Sequence, residues 1–454
     1  MYSRLFGTSG IRGNITDRVT AELALKLGLS TAKSLNFDGT IAIGFDNRTS
    51  SAMLEKAFIS GVIAGGCDAA LLGLVPLPIL AYGTKELRSK TGVMITASHN
   101  PASDNGFKLF SSQGKEYLPA ETNAIERTMK GRIFQFSNKT GLIEKIPDIS
   151  RHYVEAALKE TSKVTRPIKV VLDCVNGAAS NVVPSILSTV GCMIMALNDN
   201  IDGAFPGRPS EPSPQNLSHI MEVVKKSGAD IGLAYDGDAD RVAVIDEKGS
   251  FVVNDRIIAL IAKQKLEENG PGTIVTSLDT SKCIDDVITP LKGKIRRVRL
   301  GETHTHFSDS EVILAAEPWK IIDPSWGMWA DGIFTSMKIV EMLNNSEASV
   351  SDLLKYVPSY PQTRLNFLCP EPFKQKTMTM IMARLSHERN VSDMWKFDGI
   401  RINYTDGSWM LFRASGTEPK IRLYCEAKEI RRTKELVKKG KHLITDSINR
   451  TIKA

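Results

Sequence analysis

The six cysteines among these 454 residues, at positions 67, 174, 192, 283, 369 and 425, form no C-x-x-C pair. That scatter argues against a disulfide framework or a zinc site, and a reducing cytoplasm is the expected compartment. Long apolar runs are missing too. The longest such region, residues 61–83, is interrupted by Asp68, Pro76 and Pro78, so no membrane span is expected. The charged, glycine-rich stretch 4–13 argues against a signal peptide. No long Lys/Arg run or basic–aromatic stripe occurs. The net charge of +7 therefore suits a pocket for a small phosphorylated molecule, and no nucleic-acid partner is expected. The chain also has no G-x₄-G-K-[ST], no G-x-S-x-G and no intact G-x-G-x-x-G. Their absence disfavours an ordinary P-loop, a serine hydrolase and a dehydrogenase.

What is present first is a repeated order of elements. Residues 40–46, 168–173 and 273–278 read as apolar strands. Each precedes a polar turn, an amphipathic helix, a glycine and a further strand, which is the βαβ pattern of a covered α/β sheet. Three occurrences suggest three related mixed α/β domains; one large doubly wound domain is the alternative. Beyond about residue 365 the pattern changes. Thr405-Asp406-Gly407 between two apolar runs signals a hairpin, 421–426 a third strand, and the basic stretch from Arg432 a helix with a solvated face. That end reads as a smaller α+β domain. The expected boundaries are 1–150, 151–250, 251–365 and 366–454.

Four loops carry chemistry. Thr96-Ala97-Ser98-His99-Asn100-Pro101 follows a buried apolar strand. Taken singly, Ser98 reads as a helix cap, His99 as structural and Lys108 as the exposed side of a strand. Asp236, Asp238 and Asp240 alternate in a tight turn between two strands. Three converging carboxylates suit Mg²⁺ or Mn²⁺. An EF-hand is excluded because Arg241 stands where that loop needs glycine. A solvated acidic turn and a phosphatase with Asp236 as nucleophile are the alternatives. Arg413-Ala414-Ser415-Gly416-Thr417 combines a guanidinium, hydroxyls and glycine backbone, the donors of a phosphate cradle. Phe6 to Gly13 is a second glycine–hydroxyl–arginine loop, ending in Arg12-Gly13.

Together, FGTSGIRG at 6–13, TASHNP at 96–101, DGDADR at 236–241 and RASGTEP at 413–419 resemble the α-D-phosphohexomutase family. The family comprises phosphoglucomutases, phosphomannomutases and phosphoglucosamine mutases. The resemblance implies three mixed α/β domains, a smaller C-terminal α+β domain and an active site in the central cleft. It implies a phosphoserine at Ser98, and one Mg²⁺ held by Asp236, Asp238, Asp240 and a Ser98 phosphate oxygen. Arg12, His99, Lys108 and Arg241 would surround the phosphate, with Lys108 a candidate acid/base. Arg413, Ser415, Gly416 and Thr417 would grip the substrate's other phosphate. The implied reaction interconverts hexose 1- and 6-phosphates through a sugar bisphosphate. Phosphomannomutase/phosphoglucomutase is the leading reading and phosphoglucosamine mutase the alternative, in a monomer or homodimer. A non-catalytic phosphosugar-binding paralogue is a further alternative. One segment departs from the family: G-E-x-S-G-H is replaced by Ala316-Glu317-Pro318-Trp319-Lys320-Ile321. Glu317 would keep its sugar contact, Trp319 would stack on the sugar, and Gly301 would face it from a neighbouring loop. His304 and His306 read equally as surface or functional histidines.

Overall fold

In the computed structural model, residues 5–7, 10–131, 137–307, 311–416 and 418–453 are described. They form two compact units, one of residues 1–257 and 304–355, the other of residues 258–303 and 356–454.

The first unit contains a six-stranded and a five-stranded sheet. In the six-stranded sheet Thr40–Phe45 lies parallel to Asp68–Leu74 and to Thr91–Ile95. Asp104–Ser111 and Ile11–Asn14 then add antiparallel strands at one side. The central strands read as continuous apolar runs because both of their faces are covered. Helices Ala21–Ser34 and Ser51–Ala64 pack closely on one another. The core joins Leu27, Phe58 and Val62 to Ile43, Val93 and Phe107. In the five-stranded sheet Lys169–Asp173 lies parallel to Met193–Leu197 and Ile231–Tyr235, and Val242–Ile245 turns back antiparallel. The hairpin Val312–Glu317/Lys320–Ile322 and helix Gly332–Ser346 complete this unit's main elements.

In the second unit Thr273–Ser277 runs parallel to Lys294–Val298, with helix Cys283–Ile288 between them in sequence. Its other sheet is antiparallel, in the order Gln362–Leu368, Lys420–Glu426, Trp409–Ala414, Ile400–Tyr404, Val391–Trp395. Two of those five strands, 362–368 and 391–395, carried no turn signal of their own. The terminal helix, Ile430–Lys453, is not simply a solvated face. It buries Leu436, Ile444 and Ile448 in the core over this sheet. All six cysteines are free and buried. Among the described residues no helix is long and apolar enough to cross a membrane.

Candidate active site

In α/β sheets the backbone opens into loops at the carboxyl ends of parallel strands, where ligands characteristically bind. Three such loops converge in the first unit. Thr40–Phe45 leads into Asp46-Asn47-Arg48, Thr91–Ile95 into the Ser98 loop, and Ile231–Tyr235 into the aspartate loop.

Ser98 is fully buried. Its φ of +52° is a left-handed backbone, a conformation that non-glycine residues hold only when their surroundings impose it. The imposing group is Arg48, which is 2% exposed. Its guanidinium donates to the carbonyls of Ser98 (2.9 Å), Asn100 (2.7 Å), Asp104 (2.8 Å) and Pro101, and its Nε donates to Asp46 at 3.0 Å. All five N–H donors of the side chain are thereby used. Asp46 accepts further from Ser51 Oγ (2.9 Å) and Thr96 Oγ1 (2.7 Å), and Thr96 Oγ1 in turn accepts from the Ser98 N–H at 2.8 Å. Ser98 is therefore no helix cap; it is a hydroxyl presented by a clamped loop.

That hydroxyl donates to Asp236 Oδ2 at 2.7 Å. The three aspartates are buried, with carboxylate oxygens within 4.8 Å of one another. Lys108 is not the exposed side of its strand. It is completely buried, and its ammonium lies 2.9 Å from both Asp238 Oδ2 and Asp240 Oδ2. Burial first, then the charges of Asp238 and Asp240, push the Asp236 carboxyl well above the usual range. Burial acts the same way on Asp240, but Lys108, Lys320 and Arg241 outweigh it and hold that carboxyl well below the range. Arg241 first, then burial and Arg12, depress the His99 imidazole, which is therefore neutral near pH 7. His99 Nδ1 stands 3.5 Å from Ser98 Oγ.

Two kinds of buried atom here have no hydrogen-bond partner among the described residues. Asp238 Oδ1 and Asp240 Oδ1 are acceptors, while Arg12 Nε and Nη2 and Arg241 Nε are donors. Buried polar atoms are normally satisfied, and exceptions call for an explanation. Arg241 Nε faces Asp240 Oδ1 at 3.7 Å and Asp236 Oδ2 at 3.9 Å, ion pairs beyond hydrogen-bond reach. Carboxylate oxygens without a hydrogen bond beside Asp236 fit a hard divalent cation, and guanidinium donors without one fit phosphate oxygens. The donor set thus fits a Mg²⁺-like ion next to an anion at Ser98.

The two loops meet with little space between them. A methyl built on Gly237 would lie 2.7 Å from the Ser98 carbonyl oxygen. Gly237→Ala is therefore expected to push the loops apart. Turnover should fall about 10²-fold, the size of loss an ångström of misplacement can cause, while thermal denaturation shows a well-folded chain.

The departing segment forms the tip of the hairpin. Trp319 has φ +80°, and its ring packs against Phe251 with centroids 5.9 Å apart, in a cluster with Leu217 and Ile245. A tilted contact with a neighbouring ring, the two planes 46° apart, is thus what it makes in this structure. Such a backbone costs roughly 1–3 kcal/mol, which this packing helps to offset. Glu317 is half-buried beside the turn. Lys320 is buried, 3.1 Å from Asp240 Oδ2. His304 is no surface residue: it is 8% exposed, with Nε2 unpartnered among the described residues.

In the second unit, Asp398 connects two of the expected substrate segments. Its Oδ2 accepts from Arg413 Nε and from the Leu300 N–H, both at 2.9 Å, beside Gly301 at φ +82°. Ser415 is buried, its Oγ accepting from the Glu418 N–H at 3.2 Å and its carbonyl from buried Lys374. Gly416 is exposed. Thr417 lies outside the described residues, as do Thr8 and Ser9 of the first arginine loop. Arg48, Asp46, Lys374 and Asp398 were absent from the sequence-based site because no local motif marks them.

Models of the phosphoglucomutase/phosphomannomutase family match almost the whole chain. Alpha/beta/alpha domain I matches residues 3–135, domain II 151–249, domain III 254–360 and the C-terminal domain 365–439. A probable phosphoglucosamine mutase of Methanothermobacter thermautotrophicus is 42% identical over 433 residues, 94% of each chain. A phosphopentomutase of Thermococcus kodakarensis is 40% identical over 444 residues, 95% of this chain and 96% of that one. Among solved structures, a phosphoglucomutase/phosphomannomutase family protein of Burkholderia thailandensis superposes with a TM-score of 0.86 at 25% identity, over 99% of this chain and 97% of that one.

Proposed function

The chain belongs to the phosphoglucomutase/phosphomannomutase family of phosphomutases, and on that premise we propose that it isomerises a hexosamine or hexose phosphate through a phosphorylated Ser98. The observation that carries this reading is the Ser98 hydroxyl 2.7 Å from Asp236 in a site with unpartnered carboxylate and guanidinium atoms. The domains would follow the boundaries 1–150, 151–250, 251–365 and 366–454.

In the proposed reaction a hydroxyl of the sugar monophosphate attacks the phosphorus on Ser98. The Oγ–P bond breaks as the sugar O–P bond forms, and the proton that the attacking hydroxyl gives up is passed on so that Ser98 Oγ regains one. Lys108, its ammonium held between Asp238 and Asp240, is the candidate for carrying that proton. The sugar bisphosphate then turns and returns its other phosphate to Ser98. Asp236, Asp238 and Asp240 would hold Mg²⁺, which when bound supplies charge stabilisation to the phosphoryl group. Arg12, Arg241 and His99 would orient phosphate oxygens, a positioning role that dominates phosphoryl transfer. Arg413, Ser415, Gly416 and Thr417 would hold the non-reacting phosphate, and Gly301 and Glu317 would meet the sugar. Trp319 would act by holding the turn that carries Glu317. Water must be kept out of such a site, or the phosphoserine would hydrolyse. We place the enzyme in the cytoplasm.

Phosphoglucosamine is favoured among sugars by the names of several relatives at 35–42% identity. The 40% identity to a phosphopentomutase supports a second reading, a pentose phosphate. Turnover of glucosamine, glucose, mannose and ribose 1-phosphates should separate them, with the glucosamine ester giving the highest kcat/KM. A ribose ester turned over faster than every hexose ester would establish the second reading. Release of inorganic phosphate without isomerisation of any ester would defeat both.

A further inference from the structure

Lys320 stands where the related loop has a glycine, in the stretch Glu317-Pro318-Trp319-Lys320. Proline fixes its own φ near −65° and Trp319 takes +80°. That pair of signs is the type II turn pattern, whose third residue is ordinarily glycine or asparagine. The strained turn sets Lys320 opposite Glu317 in the hairpin register, with its ammonium buried against the aspartate loop. Two ammonium groups consequently share one oxygen. Lys108 and Lys320 lie 2.9 and 3.1 Å from Asp240 Oδ2, while Asp240 Oδ1 accepts no hydrogen bond from the described residues and meets only Arg241 Nε as an ion pair at 3.7 Å. Around the three aspartates stand Lys108, Lys320, Arg12 and Arg241, with the carboxylates of Glu317 and Glu116 acting on the same cations.

We propose that Lys320 is a positioning residue that engages Asp240 through Oδ2, leaves Oδ1 as the ligand oxygen, and weakens the hold of the aspartate triad on a divalent cation. The inference rests on the mutase reading only through its metal site. Lys108 also grips Oδ2, so removing Lys320 leaves Asp240 oriented and removes a positive charge from the neighbourhood of the cation. Tighter binding follows, whereas a merely structural lysine would on removal loosen the site. The same charge favours the phosphorylated serine, because a phosphoserine dianion beside three carboxylates needs each of the neighbouring cations to hold it.

The test is Mn²⁺ binding to the full chain carrying Ser98→Ala, followed by electron paramagnetic resonance, so that no turnover is needed. Lys320→Met in that background should bind Mn²⁺ about tenfold or more tightly, as expected for removing a unit charge near a buried ion, and Lys320→Arg should bind as the parent does. Lys320→Gln keeps an N–H donor for Asp240 and loses only the charge. It carries the same expectation should the methionine variant fail to fold. A folded neutral variant with unchanged or weaker Mn²⁺ affinity overturns the proposal. A parent chain that takes up no Mn²⁺ overturns the metal assignment and this inference with it. Mn²⁺ uptake that tightens in the variants, in a protein that turns over no sugar phosphate, leaves this inference standing and removes the proposed reaction.

Discussion

Ser98→Ala is expected to lower mutase turnover by about 10⁴-fold or more, because removing a covalent carrier leaves only the binding groups behind. The substitution deletes one oxygen, and the surrounding loop is held by the backbone carbonyls of residues 98–104 rather than by that hydroxyl. Stability should therefore change little. Asp236 loses its 2.7 Å donor and retains the Arg241 N–H at 3.3 Å, so the aspartate loop stays in place. Two measurements check the result. Coupled assay of sugar 1-phosphate should give near-zero turnover, and peptide mass analysis should find phosphate on the Ser98 peptide of the parent and none on the variant. A parent peptide that loses its phosphate on incubation with sugar monophosphate would identify the serine as the donor. Retained turnover in the variant would instead favour a nucleophile elsewhere, Asp236 being the first to test.

Arg48→Ala should do the most damage to the fold. It leaves the Asp46 carboxylate without its guanidinium partner and uncovers four carbonyls, in a site where Arg48 and Asp46 are both buried. Breaking a buried ion pair from one side typically costs about 3–5 kcal/mol, and the carbonyls add to that. Chemical denaturation should show the loss directly. Arg48→Lys separates fold from function. An ammonium has three donors against the five of the guanidinium, so it restores part of the stability while the Ser98 loop stays incompletely held. Its turnover should remain about 10²-fold down, as expected for a misplaced reacting group. A lysine variant with full turnover would show that the clamp is dispensable for chemistry.

These two residues also mark what the sequence displays and what it hides. Ser98, the aspartates and the arginine loops are legible because each group of chemistry-bearing residues falls within a few positions of one another. Arg48 is hidden because all its acceptors but Asp46 lie 50–56 positions away, and the carbonyls it meets have no residue-specific mark. Asp398 is hidden likewise, its partners Leu300 and Arg413 being 98 and 15 positions distant. Lys108 was visible but misplaced. Strand alternation says which residues share a face, and both faces of this strand are covered. The three βαβ segments were legible from their apolar runs and glycines. The edge strand 391–395 was not, because an edge strand exposed on one side and bordered by polar residues lacks a distinctive pattern. The terminal helix shows the converse error, since its many basic residues concealed the stripe that packs on the sheet.

The Arg48 clamp has one more consequence. On the proposed mechanism the serine it holds would alternate between a neutral hydroxyl and a dianionic ester in each catalytic cycle. A loop that relaxed to suit each state would have to move twice per turnover, adding reorganisation to both half-reactions. Here the fixed partners act on main-chain atoms, whose charge never changes, so the backbone that suits one state suits the other. The scaffold at Ser98 would thus be indifferent to a phosphate it carried, which a carrier needs if loading and unloading are to be equally easy.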